Sequence, residues 1–200
     1  RTSAASCVLG LSCILTLGGV NTMAQSPAER PNILFAISDD QSHPHASAYG
    51  ATGVQTPAFD RVAAEGILFH NAFVMAPQCS PNRAAILTGR SIWSIREAGT
   101  HSSHFPGDLE VFTQVLAAAG YKVGYTGKGW APGNWEDNGW AHNPVGPAFN
   151  EIKLDPPTRR MSRIDYAANF EQFLEDRDED QAFFFWYGAI EPHLGYEDGS

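Results

Sequence analysis

Apolar positions along this chain fall into two kinds of run. Residues 33–37 form a short continuous apolar stretch, as a strand buried on both faces requires. Residues 182–190 form a longer one with the same reading, and residues 122–126 and 67–74 are two further strand candidates. The other runs are spaced as in helices. Thr56-Pro57 reads as an N-cap and first helical residue, predicting a helix over 57–65 with Gly66 just beyond it. A second helix is expected over 81–88, stopped by Gly89. A third is expected over 108–119, with Leu109, Phe112, Val115 and Leu116 on one face and Gly120 closing it. A fourth covers 165–177 and carries Tyr166, Phe170, Phe173 and Leu174, followed by a charged turn at 176–180. Residues 130–155 are rich in Gly, Pro, Asn and Trp and read as an irregular loop.

Strands alternating with helices imply an α/β fold, a mostly parallel sheet flanked by helices on both faces. Such sheets bind ligands at the carboxyl ends of their strands. Asp39 and Asp40 directly follow the first strand, Lys128 follows 122–126, and His193 follows 182–190. Three strands thus deliver two carboxylates, an ammonium and an imidazole to one edge.

Composition narrows the classes. The 200 residues suffice for one domain with a hydrophobic core, and 43% hydrophobic with 18% charged residues is ordinary for a globular protein. A formal net charge of -9 argues against a general nucleic-acid-binding role, so any anionic ligand must meet a local positive site. Residues 7–20 are apolar and small, and Thr22 and Ala24 suit a cleavage site, so 1–24 is expected to be a signal peptide with Gln25 as first mature residue. The run is shorter than the roughly 20 residues of a membrane span, so a secreted or periplasmic protein without a stable membrane anchor is expected. Cys7 and Cys13 fall in that segment, leaving Cys79 alone downstream: a reactive thiol, or an inert buried one.

Asp39-Asp40 offers hard oxygen ligands suited to Ca²⁺ or Mg²⁺, although a lone Asp pair reads equally as a surface capping pair. Cys79-Ser80-Pro81-Asn82-Arg83 is more specific. Pro81 suits a first helical turn, which puts Cys79 at a helix N-terminus where free amides favour an anion. Arg83 sits one turn on, within reach of Cys79. No histidine is adjacent in sequence to serve as base, which leaves open whether Cys79 acts as a thiol.

Cys79-x-Pro81-x-Arg83 with Ala84-Ala85-Ile86-Leu87-Thr88-Gly89-Arg90 resembles the signature of the type I, formylglycine-dependent sulfatases of the alkaline phosphatase-like superfamily. Arg30-Pro31-Asn32-Ile33-Leu34-Phe35 leading into Asp39-Asp40, Thr56-Pro57 through Asn71-Ala72-Phe73, Gly127-Lys128-Gly129 and Glu191-Pro192-His193 resemble other segments of that family. The likeness runs from about Arg30 to Tyr196, so residues 25–200 resemble the N-terminal part of the catalytic domain. The resemblance implies an alkaline phosphatase-like fold and a sulfuric ester hydrolase acting on sulfate esters or N-sulfate groups, with a sulfated glycan as substrate. It implies that a maturation enzyme converts Cys79 to formylglycine. It also implies one calcium ion on Asp39, Asp40 and residue 79, with remaining ligands beyond residue 200. Arg83 is expected to stabilise the hydrated aldehyde, and Lys128 and His193 to hold the sulfate or assist the leaving group. The pattern around Lys128 and His193 looks closest to the heparan N-sulfatase-like branch. Trp130 departs from the family, which often has His there; His101, His104 or His142 are the candidates to replace it. Asn82 stands where a small residue is common. Trp130, Trp135 and Trp140 read either as walls of a sugar or aryl pocket or as satellite core. A phosphate or phosphonate ester hydrolase, or a non-catalytic protein of the same fold, are the alternatives.

Overall fold

The computed structural model describes residues 30–193. The chain divides into two units, residues 1–30 and 31–200, and the architecture below is that of the second. The signal-peptide expectation for 1–24 and the end of the family likeness past His193 lie outside the described residues.

In chain order the main elements are β1 (Ile33–Asp39), α1 (Pro57–Glu65), α2 (Cys79–Thr88), α3 (Phe112–Ala118), β2 (Lys122–Gly127), α4 (Tyr166–Glu175) and β3 (Phe183–Pro192). The three strands form one sheet in the order β1-β3-β2, with both pairings parallel. All three carboxyl ends therefore lie along one edge, as the alternating pattern requires.

β3 is the central strand, and its run of aromatics explains both layers. Successive side chains point to opposite faces. Phe184 and Trp186 enter one core with Ala84 and Leu87 of α2, and Phe112 and Leu116 of α3 pack against it. Phe183 and Phe185 enter a second core with Phe173 of α4, flanked by Phe149, Phe170 and Leu174. A strand covered on both faces needs no polar alternation, which is why 182–190 reads as continuously apolar. α4 begins where the Asp165 carboxylate accepts the Ala168 N–H at 3.0 Å.

Two expectations fail. Residues 67–74 form no strand, and Ile67, Phe69, Phe73 and Val74 are exposed. An apolar run becomes a strand only where a neighbour completes its ladder, and none of the described strands pairs with it. The helix expected from residue 108 starts only at Phe112. A turn donates Leu109 N–H to Pro106 O at 3.2 Å, Asp108 pairs with Arg96, and Val111 is extended. Leu109 and Val111 are buried from this irregular stretch, whereas Val115 is 52% exposed. At α1 the predicted bounds hold, but the Thr56 hydroxyl donates to Asp60 at 3.0 Å and accepts from Ser47 N at 2.9 Å instead of capping the helix.

Candidate active site

Asp39 ends β1, and the register between β1 and β3 shifts between Ile37 and Asp39. Asp40 then adopts φ 61°, a left-handed conformation uncommon for a side-chain-bearing residue. This bend turns the chain away from the strand direction directly after Asp39. Asp39 is buried and Asp40 exposed.

At the end of β2 the chain crosses close over β3. Gly127 has φ 77°, and a Cβ there would meet Gly188 O at 2.0 Å. A Cβ on Gly188 would in turn meet Lys128 O at 2.1 Å. Only glycine permits this approach, and the crossing fixes Lys128 beside Asp39.

The Lys128 ammonium donates to Asp39 Oδ2 at 2.5 Å, and Arg83 Nη2 meets Asp39 Oδ1 at 3.2 Å. Arg83 Nη1 donates to the carbonyls of Lys128 at 2.7 Å and Gly129 at 3.0 Å. Its guanidinium lies 5.7 Å from the Trp186 ring centroid. Arg83 is 1% exposed, and burial pushes its pKa down, a shift opposed by Asp39 and, more weakly, by Cys79. Such a fork of donors is what arginine supplies and lysine does not. Arg83 thus ties the end of β1 to the segment that follows β2, over the Trp186 ring of β3.

Cys79 is the first residue of α2, so the helix starts two residues before the expected Pro81. Its helix start is anchored twice. Trp130 Nε1 donates to Ser80 O at 2.9 Å, and Ser80 Oγ accepts Ser102 N–H at 3.2 Å. The neighbouring His101 Nε2 lies 3.5 Å from Cys79 Sγ. Of the three candidate replacement histidines, His101 alone meets the thiol: His104 faces Asn138, and His142 faces the Asn143 carbonyl.

Asp39, Cys79, His101, Lys128, Trp130, Trp135 and His193 share the wall of one cavity of about 630 Å³, within the usual range of ligand sites. Of the six catalytic or metal-binding residues expected from sequence, four thus meet there: Asp39, Cys79, Lys128 and His193. Arg83 lies behind this wall through Asp39, and the exposed Asp40 is not among the residues that line it. A second cavity of about 480 Å³, lined by Leu34, Met161, Phe170 and Phe185 among others, is largely apolar and has no basic residue in its wall. His43 and His70 pack edge-on against Tyr49, away from the cluster.

Sequence reasoning missed Asn143. Its side-chain oxygen accepts Trp130 N–H at 2.9 Å and its amide donates to Trp130 O at 2.9 Å, locking the loop behind Lys128. The only sequence signal was an Asn in a Gly/Pro-rich stretch, which is too common to single one residue out.

Residues 31–199 match the family model described as Sulfatase. The chain is 32% identical over 198 residues to an N-acetylglucosamine-6-O-sulfatase of Bacteroides thetaiotaomicron, covering 91% of this chain and 34% of that protein. In structure it resembles Ps i-CgsB, solved with k-i-k-neocarrahexaose, with TM-score 0.62 and 21% identity over 84% of this chain and 47% of that one. It also resembles the phosphonate monoester hydrolase of Agrobacterium radiobacter, with TM-score 0.55 and 18% identity over 82% of this chain and 41% of that one. The chain therefore spans about a third to a half of the length of these proteins. Its α/β architecture is that of these solved neighbours, and with the family model matching residues 31–199, the chain belongs to the sulfatase family.

Proposed function

We propose that this chain carries the nucleophile-bearing part of a sulfatase site that hydrolyses sulfate esters of a sulfated glycan. The observation that carries this reading is the placement of residue 79 at the start of α2, in one cavity with Asp39, Lys128 and His193. Converted to formylglycine, residue 79 supplies an oxygen nucleophile for the sulfur, in place of a thiol.

The chain's own groups have separable tasks. Lys128 has three donors, uses one on Asp39, and turns to the cavity, where its ammonium can bind a sulfate oxygen. His193 faces the same cavity and takes the sulfate or the leaving oxygen. Arg83 acts through Asp39 and the Lys128 carbonyl, so its work is to position them. His101 is the imidazole placed at residue 79, the task for which the family's usual histidine is replaced by Trp130.

The four charged groups of the site balance. Arg83 and Lys128 bring two positive charges, and Asp39 and Asp40 return two negative ones, so these four groups alone do not favour an anion. Asp39 and Asp40 fit a calcium ion in kind, as hard oxygen donors, though in number they fall short of the roughly six to eight oxygens it takes. No group of three acidic, His or Cys ligands occurs among the described residues. Such an ion would supply Lewis acidity at the sulfate and at residue 79.

The likeness to an N-acetylglucosamine-6-O-sulfatase supports an O-sulfated hexosamine as the first substrate to try. The N-sulfated alternative suggested by the sequence around Lys128 is tried beside it. The likeness to a phosphonate monoester hydrolase favours one second reading, because tetrahedral sulfate and phosphonate present similar oxygens.

We further propose export to the periplasm or medium, with maturation of Cys79 by a formylglycine-generating enzyme. No described helix is long and apolar enough to cross a membrane. The test is twofold. Mass analysis of the residue-79 peptide, after expression with a formylglycine-generating enzyme, is expected to show the aldehyde. The full-length protein is then expected to release sulfate from N-acetylglucosamine 6-sulfate. An unconverted thiol beside a converted control sulfatase, or turnover of a phosphonate monoester alone, overturns the proposal.

A further inference from the structure

Four tryptophans stand in or beside the site, and the fate of the indole N–H divides them. Trp130 donates to Ser80 O at 2.9 Å, Trp140 to Phe105 O at 3.2 Å and Trp186 to Lys128 O at 3.2 Å. These three are buried, at 1%, 8% and 0% exposure. They are core residues, and their polar edges are satisfied by backbone carbonyls. Trp135 differs on each count. Its ring is half-buried and its N–H has no protein partner among the described residues, and with Trp130 it lines the same cavity as Cys79 and Lys128. A tryptophan whose body packs on a core while its N–H stands open is suited to a ligand that is apolar on one side and hydroxylated on another.

The loop that carries Trp135 is held in place. Asn134 N–H donates to Ser103 O at 2.8 Å, and Phe105 N–H to Asn134 O at 3.0 Å. Trp135 O accepts Asn138 N–H at 3.1 Å. Gly133, at φ 151°, lies so close to the Trp130 ring that a Cβ would meet it at 2.3 Å. The loop is thus held against the same Trp130 that anchors the start of α2, so little backbone order has to be imposed on binding.

We infer that Trp135 is the sugar-ring platform of the site. It stacks on the apolar face of the pyranose that bears the sulfate, and its N–H donates to a ring hydroxyl. This rests on the sulfatase reading and adds to it a residue that selects pyranosides over other sulfate carriers. The ring-binding and anion-binding tasks then fall on different residues. Trp135 takes the sugar, and Lys128 with His193 takes the sulfate.

The test uses the full-length protein left unconverted at residue 79, so that binding is read without turnover. Calorimetry measures the Kd of N-acetylglucosamine 6-sulfate and of inorganic sulfate for wild type, Trp135→Ala and Trp135→Phe. Trp135→Ala is expected to weaken the sugar sulfate by roughly threefold to tenfold, the range that a stacked ring contact gives. It is expected to leave inorganic sulfate unchanged, and Trp135→Phe should fall between. In the converted enzyme the same change is expected in KM, with kcat nearly constant. Equal losses for both probes would mean a structural role, and no loss for either would mean no contact; each overturns the inference alone. A wild type that binds neither probe overturns the sulfatase reading and the inference with it.

Discussion

Arg83–Asp39 and Arg96–Asp108 are the same chemical pair in two settings. In the first, the side chains are 2% and 3% exposed; in the second, 50% and 73%. Arg83 also bonds two carbonyls and shares Asp39 with Lys128. Arg96–Asp108 merely pins an irregular turn ahead of α3. Burial, not the pairing itself, decides what each contributes. An ion pair in water is worth little, whereas removing one partner of a buried pair strands the other charge.

The largest effect is therefore expected from Asp39→Ala. It leaves Arg83 and Lys128 uncompensated, and a loss of about 3–5 kcal/mol is expected in chemical denaturation. Adding Arg83→Met to it should recover part of that loss, since an apolar side chain of similar length costs less there than an unpaired guanidinium. If Asp39→Ala behaves like a surface substitution, the contrast between the two pairs collapses. Arg83→Lys comes next. It keeps the charge but loses the fork that spans Asp39 and two carbonyls, and a loss of about 1–3 kcal/mol is expected, with sulfate release falling alongside. Recovery of activity without recovery of stability would show that charge alone is what the site requires.

Trp130→Phe probes the same buried region through a neutral contact. The ring packs edge-on to Phe105 at 5.1 Å, and its N–H holds Ser80 O. Phenylalanine keeps part of the packing and leaves that carbonyl without its donor, for an expected loss of about 1–3 kcal/mol in thermal or urea unfolding.

The same contrast explains what the sequence disclosed. The site's members were legible because each sits where a local rule puts it: Asp39 and Lys128 at strand ends, Cys79 ahead of a proline at a helix start. The bounds of α1 were legible from Thr56-Pro57 and Gly66, and the burial of β3 from its unbroken apolar run. What could not be read depends on contacts across the chain. Nothing near Trp130 in sequence says that its N–H reaches Ser80, fifty positions back. Nothing separates His101 from His104 and His142 until Ser102 is tied to Ser80. Residues 67–74 show the converse. They have the composition of a strand, but composition cannot supply a neighbouring strand, and the segment stays exposed. The three loop tryptophans read alike in sequence, and only their burial and their indole partners separate Trp135 from the other two.

The smallest effect is expected at the exposed pair, and its conditions can be stated. Asp108 has its pKa lowered from 3.8, chiefly by the hydrogen bond from Arg96. A carboxylate with a depressed folded-state pKa adds stability above its unfolded value and loses it as pH falls through the folded one. Arg96→Gln should therefore lower the denaturation midpoint slightly at neutral pH, and the difference from wild type should shrink as pH drops below that of an ordinary aspartate. It should also fade in about 1 M salt, where the Debye length is near 3 Å. The Asp39 cluster, shielded from solvent, should keep most of its contribution in the same salt. Denaturation curves of Arg96→Gln and Asp39→Ala at low and high salt make the comparison directly. Equal salt sensitivity in the two would mean that water reaches the Asp39 cluster as freely as it reaches the surface, and the distinction drawn from burial would fail.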